Sequence, residues 1–255
     1  MIDIHSHILY GLDDGAEDRD TSLAMLKLAA DTGTTDIVAT PHSDSQFVYQ
    51  PAIVDERIAE LNALTGNTPR IHRGCDFHLS IDNVQACLVD HTPYTINGLC
   101  YLMVEFAEFF VPPSTENILS EFTERGITPV ITHPERNPVL RGSTARLEKW
   151  IKSGCVLQIT AQSLTDRFGR EARDITWTWL RKGMVHVLAS DAHDLVHRPP
   201  RLDLAHEIVT DKLGTDIAEL LLVTNPGAII RGDEVLPMNS ADSGDGSKKW
   251  FQFWR

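Results

Sequence analysis

Histidines and carboxylates recur at the ends of short apolar runs along this 255-residue chain. His5 and His7 stand two residues apart, and an extended strand points two such side chains to one side. Imidazole nitrogens and carboxylate oxygens together are ligands that suit zinc, manganese or iron. We therefore expect a metal site built from distant parts of the sequence. Its candidate residues are His5, His7, His42, Asp76, Glu105, His133, Asp191 and His193, with Asp14 in reach just after the first run.

Short apolar runs alternate with longer amphipathic ones, which predicts an α/β fold of parallel βα units. Seven such units fit a closed or distorted barrel better than an open sheet. In a barrel, the C-terminal ends of the strands share one face, where active sites are built. The predicted strands are 2–5, 36–40, 70–76, 101–106, 129–133, 156–160 and 185–190. The predicted helices are 20–32, 53–64, 116–125, 145–153, 171–182, 203–210 and 216–222.

Composition excludes several classes of protein. The net charge of −13 argues against a non-specific nucleic-acid binder, whose affinity comes from positive surface. No run of about 18 apolar residues occurs, so no membrane span is expected. The first residues do not read as a secretory signal. The cysteines stand far apart without a Cys-x-x-Cys pair, which favours a reducing, cytoplasmic compartment. They are Cys75, Cys87, Cys100 and Cys155.

Familiar nucleophile and nucleotide motifs are also missing. No cysteine is followed six residues later by arginine, so the thiolate phosphatase signature is absent. The chain has neither a Gly-x-x-x-x-Gly-Lys-Ser/Thr loop nor a Gly-x-Ser-x-Gly elbow. These absences leave the histidine and carboxylate set as the main candidate for chemistry.

The sequence divides into a long domain and a short tail. Residues 1–236 carry the strand and helix pattern, and we expect them to form one domain. Residues 237–255 read as a linker rich in Ser, Asp and Gly, followed by a tail that contains Trp250 and Trp254.

Six motifs together resemble the polymerase-and-histidinol-phosphatase (PHP) superfamily. The chain looks most like its bacterial manganese-dependent tyrosine-protein phosphatases, which are associated with capsule and exopolysaccharide synthesis. The likeness runs from residue 1 to about residue 232, and it implies a distorted barrel of seven βα units. The motifs are Asp3-Ile4-His5-Ser6-His7, Asp13-Asp14-Gly15, Thr40-Pro41-His42, Glu105-Phe106, His133-Pro134-Glu135-Arg136 and Ser190-Asp191-Ala192-His193.

The resemblance implies about three divalent metal ions, manganese first, with iron or zinc as alternatives. The first ion would be held by His5, His7, Asp76 and Asp191. Asp76 would bridge to the second, which Glu105 and His133 would complete. The third would be held by Asp14, His42 and His193.

The resemblance also implies a reaction and a substrate. Arg136 and Arg198 match the phosphate-binding arginines of the family, and a metal-activated water would attack phosphotyrosine. Asp194 or His197 could supply a proton to the leaving group. A plausible partner is the tyrosine-rich tail of a bacterial tyrosine kinase. The family usually has Glu where this chain has Asp76, and the shorter side chain requires a closer backbone or shifted metals.

Three other functions stay open at this point. One is a PHP enzyme acting on a small molecule such as histidinol phosphate, or on nucleic acid. A second is an amidohydrolase, which also uses His-x-His on the first strand; the fourth strand, however, carries Glu105 and no bridging lysine. The third is a catalytically weak metal-binding regulatory module. The sequence leaves the native metal and the oligomeric state open, an oligomer included.

Overall fold

The structure is a computed structural model that describes residues 1–238. The predicted linker and tail, 237–255, lie outside the described residues except for Pro237 and Met238. None of the helices within residues 1–238 has the length and apolar character needed to cross a bilayer.

Within this range, strands and helices alternate along almost the whole chain. The strands are Ile2–Ser6 (β1), Asp36–Ala39 (β2), His42–Ser43 (β3), Arg70–Arg73 (β4), Asp76–His78 (β5), Tyr101–Glu105 (β6), Thr128–Ile131 (β7), Val156–Thr160 (β8) and Val187–Ala189 (β9). The helices are Arg19–Asp31 (α1), Pro51–Thr65 (α2), Ile81–Val89 (α3), Thr115–Glu124 (α4), Pro138–Arg141 (α5), Thr144–Lys152 (α6), Arg170–Arg181 (α7), Asp203–Leu213 (α8), Thr215–Glu219 (α9) and Asn225–Arg231 (α10).

All of the strand pairs are parallel, in the orders β1-β2-β4 and β3-β5-β6-β7-β8-β9. The last strand returns to the first: the His7 amide donates to the Ala192 carbonyl at 2.8 Å, and the Asp191 amide donates to the His5 carbonyl at 2.9 Å. The strands therefore form a curled parallel sheet, as the alternating pattern predicts.

The predicted strand 70–76 is divided in the structure, and the predicted strand 36–40 ends at Ala39 and is followed by the separate short strand β3. Pro41 lacks an amide hydrogen and separates β2 from β3. Gly74 separates β4 from β5, and a Cβ atom at this position would lie 2.7 Å from Val38 Cγ1. Glycine thus lets the chain approach β2 closely, just before it delivers Asp76.

Helix α3 lies in a part of the sequence for which no element was predicted. The side chain of Ser80 begins it by accepting a hydrogen bond from the Asn83 amide at 3.1 Å. Val84 and Cys87 are buried on one face of the helix. The local signal was a serine N-cap followed by an apolar pair three residues apart, but the helix is only nine residues long.

Apolar strand residues alternate between one inner cluster and two outer clusters that face the helices, as the period of two requires. One cluster gathers side chains from six strands, so these side chains face a shared interior, and Ile229 of α10 packs among them. The strand members of this cluster include Ile4, Val38, Met103, Val130, Val156 and Val187. The outer clusters fill the layer between the sheet and the helices. One includes Phe77, Phe122 and Trp179, and the other includes Met25, Ile37 and Leu61.

His186, just before β9, connects β8, β9 and α10 through hydrogen bonds. Its Nδ1 accepts from the Leu157 amide at 3.1 Å, its own amide donates to the Leu157 carbonyl at 3.0 Å, and Asn225 donates to its carbonyl at 2.9 Å. Burial lowers the pKa of His186 from 6.5 to about 4. The neutral ring is thus the form that the fold stabilises.

Because of this shift, we expect the protein to lose stability as the pH falls from 6.5 toward 4. Between these pH values His186 becomes protonated in the unfolded chain but stays neutral in the folded protein. The free energy of unfolding should therefore fall by about 2 kcal/mol between pH 7 and 5. Urea unfolding of metal-stripped protein measures it, with His186→Asn as the matched variant. Identical pH dependence in the two proteins would contradict the assignment to His186.

Candidate metal centre

The first group of candidate ligands joins both ends of the described chain. His5 and His7 lie at the C-terminal end of β1, Asp76 opens β5, and Asp191 follows β9. His5 Nε2 lies 3.4 Å from Asp76 Oδ2 and 3.4 Å from Asp191 Oδ1, and His7 Nε2 also lies 3.4 Å from Asp191 Oδ1. Ligand atoms that share one ion at about 2.1 Å lie roughly 3.0–3.4 Å apart, so the spacing suits coordination.

The second group is centred on Glu105 at the end of β6. Glu105 Oε1 lies 3.3 Å from His133 Nε2, and Glu105 Oε2 lies 3.3 Å from His42 Nδ1. His42 Nδ1 is also 3.3 Å from Asp76 Oδ2, so the first two groups meet at that oxygen. His78, to which the sequence analysis gave no role, places Nε2 3.0 Å from Glu105 Oε2.

The third group opens toward solvent. Asp14 Oδ1 lies 3.4 Å from His42 Nε2 and 3.4 Å from His193 Nε2. The Asp14 side chain is 54% exposed, whereas those of Asp76 and Asp191 are almost fully buried. His7 also contributes a ligand atom to this group, beyond the three residues that the resemblance implies.

The chemistry of the buried atoms shows that the cluster fits divalent cations. Neither carboxylate oxygen of Asp76 has a hydrogen-bond partner, and neither has His42 Nδ1. Asp76 is fully buried. A buried carboxylate left without a partner costs several kcal/mol, so such atoms are expected only where a cation compensates them. The donors present, imidazole nitrogen and carboxylate oxygen, suit manganese, iron or zinc.

Two side chains orient the histidines of β1. Gln158 Oε1 lies 3.0 Å from His5 Nδ1, and Asp13 Oδ2 lies 2.7 Å from His7 Nδ1. Each contact occupies Nδ1 and leaves Nε2 facing the cluster, as outer partners of metal-binding histidines commonly do. Sequence reasoning missed Gln158, whose signal was a polar residue within an apolar strand. Asp13 appeared there only as part of the Asp13-Asp14-Gly15 motif, with no role of its own.

The cluster also shifts the pKa values of its own members. Burial alone would lower the pKa of His5, but the carboxylates of Asp191 and Asp76 raise it to about 9. Burial and the neighbouring His7 lower the pKa of His193 to about 4. His5 therefore holds a proton in the metal-free protein, and a cation that binds there must displace it. Metal affinity should fall as the pH decreases.

Arg136 and Arg198 converge on one carboxylate. Both guanidinium groups donate to Asp191 Oδ2, while Asp191 Oδ1 faces the histidines. Burial would raise the pKa of Asp191, but His5 and the two arginines hold it well below its usual value. Asp191 thus joins the metal-ligand cluster to the two arginines that are predicted to bind phosphate.

The two suggested proton donors are not part of the cluster. The Asp194 carboxylate accepts from the amides of Val196, His197 and Arg198. Burial would raise the pKa of Asp194, but these amide hydrogen bonds outweigh it and lower the pKa. His197 is exposed and lies 3.1 Å from Arg167. The Asp194 carboxylate therefore stabilises its own loop. A proton-donor role for Asp194 or His197 stays a prediction.

A curled parallel sheet with imidazoles and carboxylates gathered at one edge is the arrangement of a metal-dependent hydrolase. Residues 1–231 match the family model described as "Capsular polysaccharide synthesis, CpsB/CapC". The chain therefore belongs to the CpsB/CapC family, which confirms the branch of the resemblance inferred from its motifs.

Individual relatives agree over nearly the full length. The chain is 31% identical to the "Putative tyrosine-protein phosphatase CapC" of Staphylococcus aureus, covering 98% of this chain and 99% of that one. It is 32% identical to the "Tyrosine-protein phosphatase CpsB" of Streptococcus pneumoniae, covering 90% and 98%. A solved structure reported with YwqE from Bacillus subtilis and CpsB from Streptococcus pneumoniae, "unique metal-dependent tyrosine phosphatases", superposes with a TM-score of 0.86 at 30% identity, covering 93% and 97%.

Proposed function

We propose that this protein is a metal-dependent tyrosine-protein phosphatase that hydrolyses phosphotyrosine on a protein substrate. The observation that carries the proposal is the Asp191 carboxylate, which faces buried metal-ligand candidates on one side and two arginines on the other. This arrangement places a cluster of candidate metal ligands beside two arginines that can bind phosphate. Relatives that bear the name tyrosine-protein phosphatase cover nearly the whole chain.

Three ions, with manganese as the first choice, are proposed for the three groups of ligands. His5, His7, Asp76 and Asp191 would hold one, Asp76, Glu105 and His133 a second, and Asp14, His42 and His193 a third. Bound divalent ions supply Lewis-acid chemistry, which lowers the pKa of water and offsets phosphoryl charge. The close approach at Gly74 brings the backbone in just before Asp76, which supports a bridging role for this shorter carboxylate.

The remaining chemistry falls to the side chains of this chain. Arg136 and Arg198 would bind the phosphoryl oxygens, because a planar guanidinium matches two such oxygens at once. Phenolate, with a pKa of about 10, is a better leaving group than the alkoxide of serine, so strong proton donation is less necessary. Asp194 or His197 remain the candidates for whatever donation occurs. The buried Asp191 keeps both arginines in place.

Several finer features are proposed with this function. We propose a distorted barrel of seven βα units over residues 1–236, in which β2 with β3, and β4 with β5, each count as one strand. The four cysteines are unpaired, which favours a reducing, cytoplasmic setting. A phosphotyrosine protein of capsule or exopolysaccharide synthesis, such as the tail of a bacterial tyrosine kinase, is the proposed substrate.

The test compares kcat/KM of the manganese-loaded protein on a phosphotyrosine peptide and on the same peptide with phosphoserine. The proposal predicts turnover of the first and at least about 100-fold slower turnover of the second, since the alkoxide is the poorer leaving group. Equal rates on both, or a preference for histidinol phosphate, would favour the small-molecule phosphoesterase. Bound metal without turnover would favour the regulatory module.

We expect Arg136→Ala to act mainly on KM. Removing one of the two guanidinium groups takes away charge-assisted hydrogen bonds to the phosphoryl group, each worth about 1.5–3 kcal/mol. The KM for an aryl phosphate should rise about 10- to 100-fold, with a smaller fall in kcat. Arg125→Ala is the control, because Arg125 pairs with Glu121 in an exposed salt bridge rather than with Asp191. Unchanged kinetics in Arg136→Ala would remove it from the phosphate site.

A further inference from the structure

A cavity of about 500 Å³ opens beside the metal centre. Its wall includes two of the candidate metal ligands, Glu105 and His133, together with Arg136. Three aromatic residues line the same cavity: Phe106, which is buried, and Phe109 and Phe168. A phosphoryl group held by the metal-ligand cluster and Arg136 would therefore direct its ester substituent into a space with aromatic walls.

The Phe168 ring packs directly against Arg136, one of the two phosphate-binding candidates. The Arg136 guanidinium carbon lies 4.6 Å from the centre of the Phe168 ring, and the same guanidinium donates to Asp191. Phe168 ends a short 3₁₀ turn, Asp166–Phe168, which the Gly169 amide closes by donating to the Asp166 carbonyl at 2.9 Å. The turn holds this ring at the edge of the phosphate site.

Phe109 stands on the loop that follows β6 and Glu105. Its side chain is 69% exposed, so the ring is accessible to a ligand that enters the cavity. Two hydrogen bonds hold the loop in place. The Phe110 amide donates to the Ala107 carbonyl at 3.1 Å, and the Asn137 side-chain amide donates to the same carbonyl at 2.9 Å. Asn137 also lines the cavity, so the loop and the cavity wall are tied together.

We propose that Phe109 and Phe168 form an aryl subsite that binds the ring of phosphotyrosine and makes the enzyme selective for aryl over alkyl phosphate esters. The proposal rests on the proposed function and assigns the substrate class to particular residues. Aromatic pairs gain from offset or edge-to-face contact, worth about 0.5–1.5 kcal/mol beyond the area they bury. Phosphoserine carries only a methylene at the matching position and would leave both rings uncovered.

The test is the affinity of the manganese-loaded protein for two non-hydrolysable phosphonates, phenylphosphonate and methylphosphonate, measured by calorimetry. The wild type should bind phenylphosphonate about tenfold more tightly or better, since tenfold corresponds to roughly 1.4 kcal/mol. Phe109→Ala and Phe168→Leu should each reduce that preference about threefold to tenfold and leave methylphosphonate affinity unchanged. Phe110→Ala is the matched control: this neighbour is 57% exposed but does not line the cavity, and its variant should behave as the wild type.

Equal affinity of the wild type for both phosphonates would overturn the subsite. So would an equal loss of both affinities in Phe109→Ala and Phe168→Leu, since the rings would then act only by positioning Arg136. These outcomes are separate from the proposed function, which fails if wild-type protein does not hydrolyse a phosphotyrosine peptide. Hydrolysis of that peptide with unaltered aryl preference in both variants would leave the function standing and the subsite wrong.

Discussion

Asp191→Asn should lower kcat/KM on an aryl phosphate by on the order of 1,000-fold, because the change removes about 4 kcal/mol of transition-state stabilisation. Asp191 Oδ1 lies 3.4 Å from the Nε2 atoms of His5 and His7, and Oδ2 accepts from Arg136 and Arg198. One substitution therefore weakens a metal ligand and releases both arginines. Asparagine keeps the size of the side chain and tolerates the positive φ of 52° at this position. Steady-state kinetics and metal content of the purified variant measure the effect.

Asp194→Asn is the comparison for this prediction, and it also tests the proton-donor candidate. Asp194 lies three residues further along, outside the cluster, and its carboxylate accepts backbone amides in the loop. An asparagine oxygen can accept some of those bonds, so activity should fall by less than about fivefold. A loss of 100-fold or more in Asp194→Asn would support its candidate role as proton donor. Near-wild-type activity in Asp191→Asn would contradict the account of the site.

Metal removal should lower the melting temperature by about 10 °C. A cation present at about 1,000 times its Kd stabilises the folded state by about 4 kcal/mol, and each kcal/mol shifts Tm by roughly 2–4 °C in a chain of this size. The structural reason is the buried cluster, where neither oxygen of Asp76 has a hydrogen-bond partner. Without a cation, that carboxylate depends on neighbouring imidazoles alone. Circular dichroism of manganese-loaded and chelator-dialysed protein follows the transition.

Asp76→Asn should reduce the metal-dependent gain in Tm by at least half, since one bridging candidate is lost. Asp174→Asn should keep the full gain, because Asp174 pairs with Arg173 in an exposed salt bridge far from these ligands in sequence. Equal melting temperatures for loaded and stripped wild-type protein would mean that the cluster gains no stability from a cation.

The gathering of the ligands was predictable because it follows from a simple geometric rule. Most candidates stand at or after the C-terminal end of a strand, and parallel strands deliver those ends to one side of a curled sheet. His42 and Asp76 instead open the short strands β3 and β5, which follow β2 and β4. His5 and Asp191 could thus be paired from the sequence, although 186 positions apart in number, without any knowledge of their contacts. The alternation of apolar runs also located the main strands and most helices.

The outer contacts of the site could not be predicted in the same way. His5 meets Gln158 across 153 residues, and no local pattern marks that pair. The breaks between β2 and β3 and between β4 and β5 each depend on one residue. Pro41 lacks an amide hydrogen, and Gly74 lacks a side chain where the chain packs closely against β2. The pairing of both arginines with Asp191 likewise appears only when β7 and β9 are placed in space.

The central claim is that hydrolysis depends on cations held by these histidines and carboxylates. Its most direct test strips the protein of metal, adds back manganese in measured steps, and follows both metal content and hydrolysis of p-nitrophenyl phosphate. We expect no turnover in the stripped protein and a return of activity that levels off near three ions per chain. Full activity in protein shown to contain no metal would contradict it.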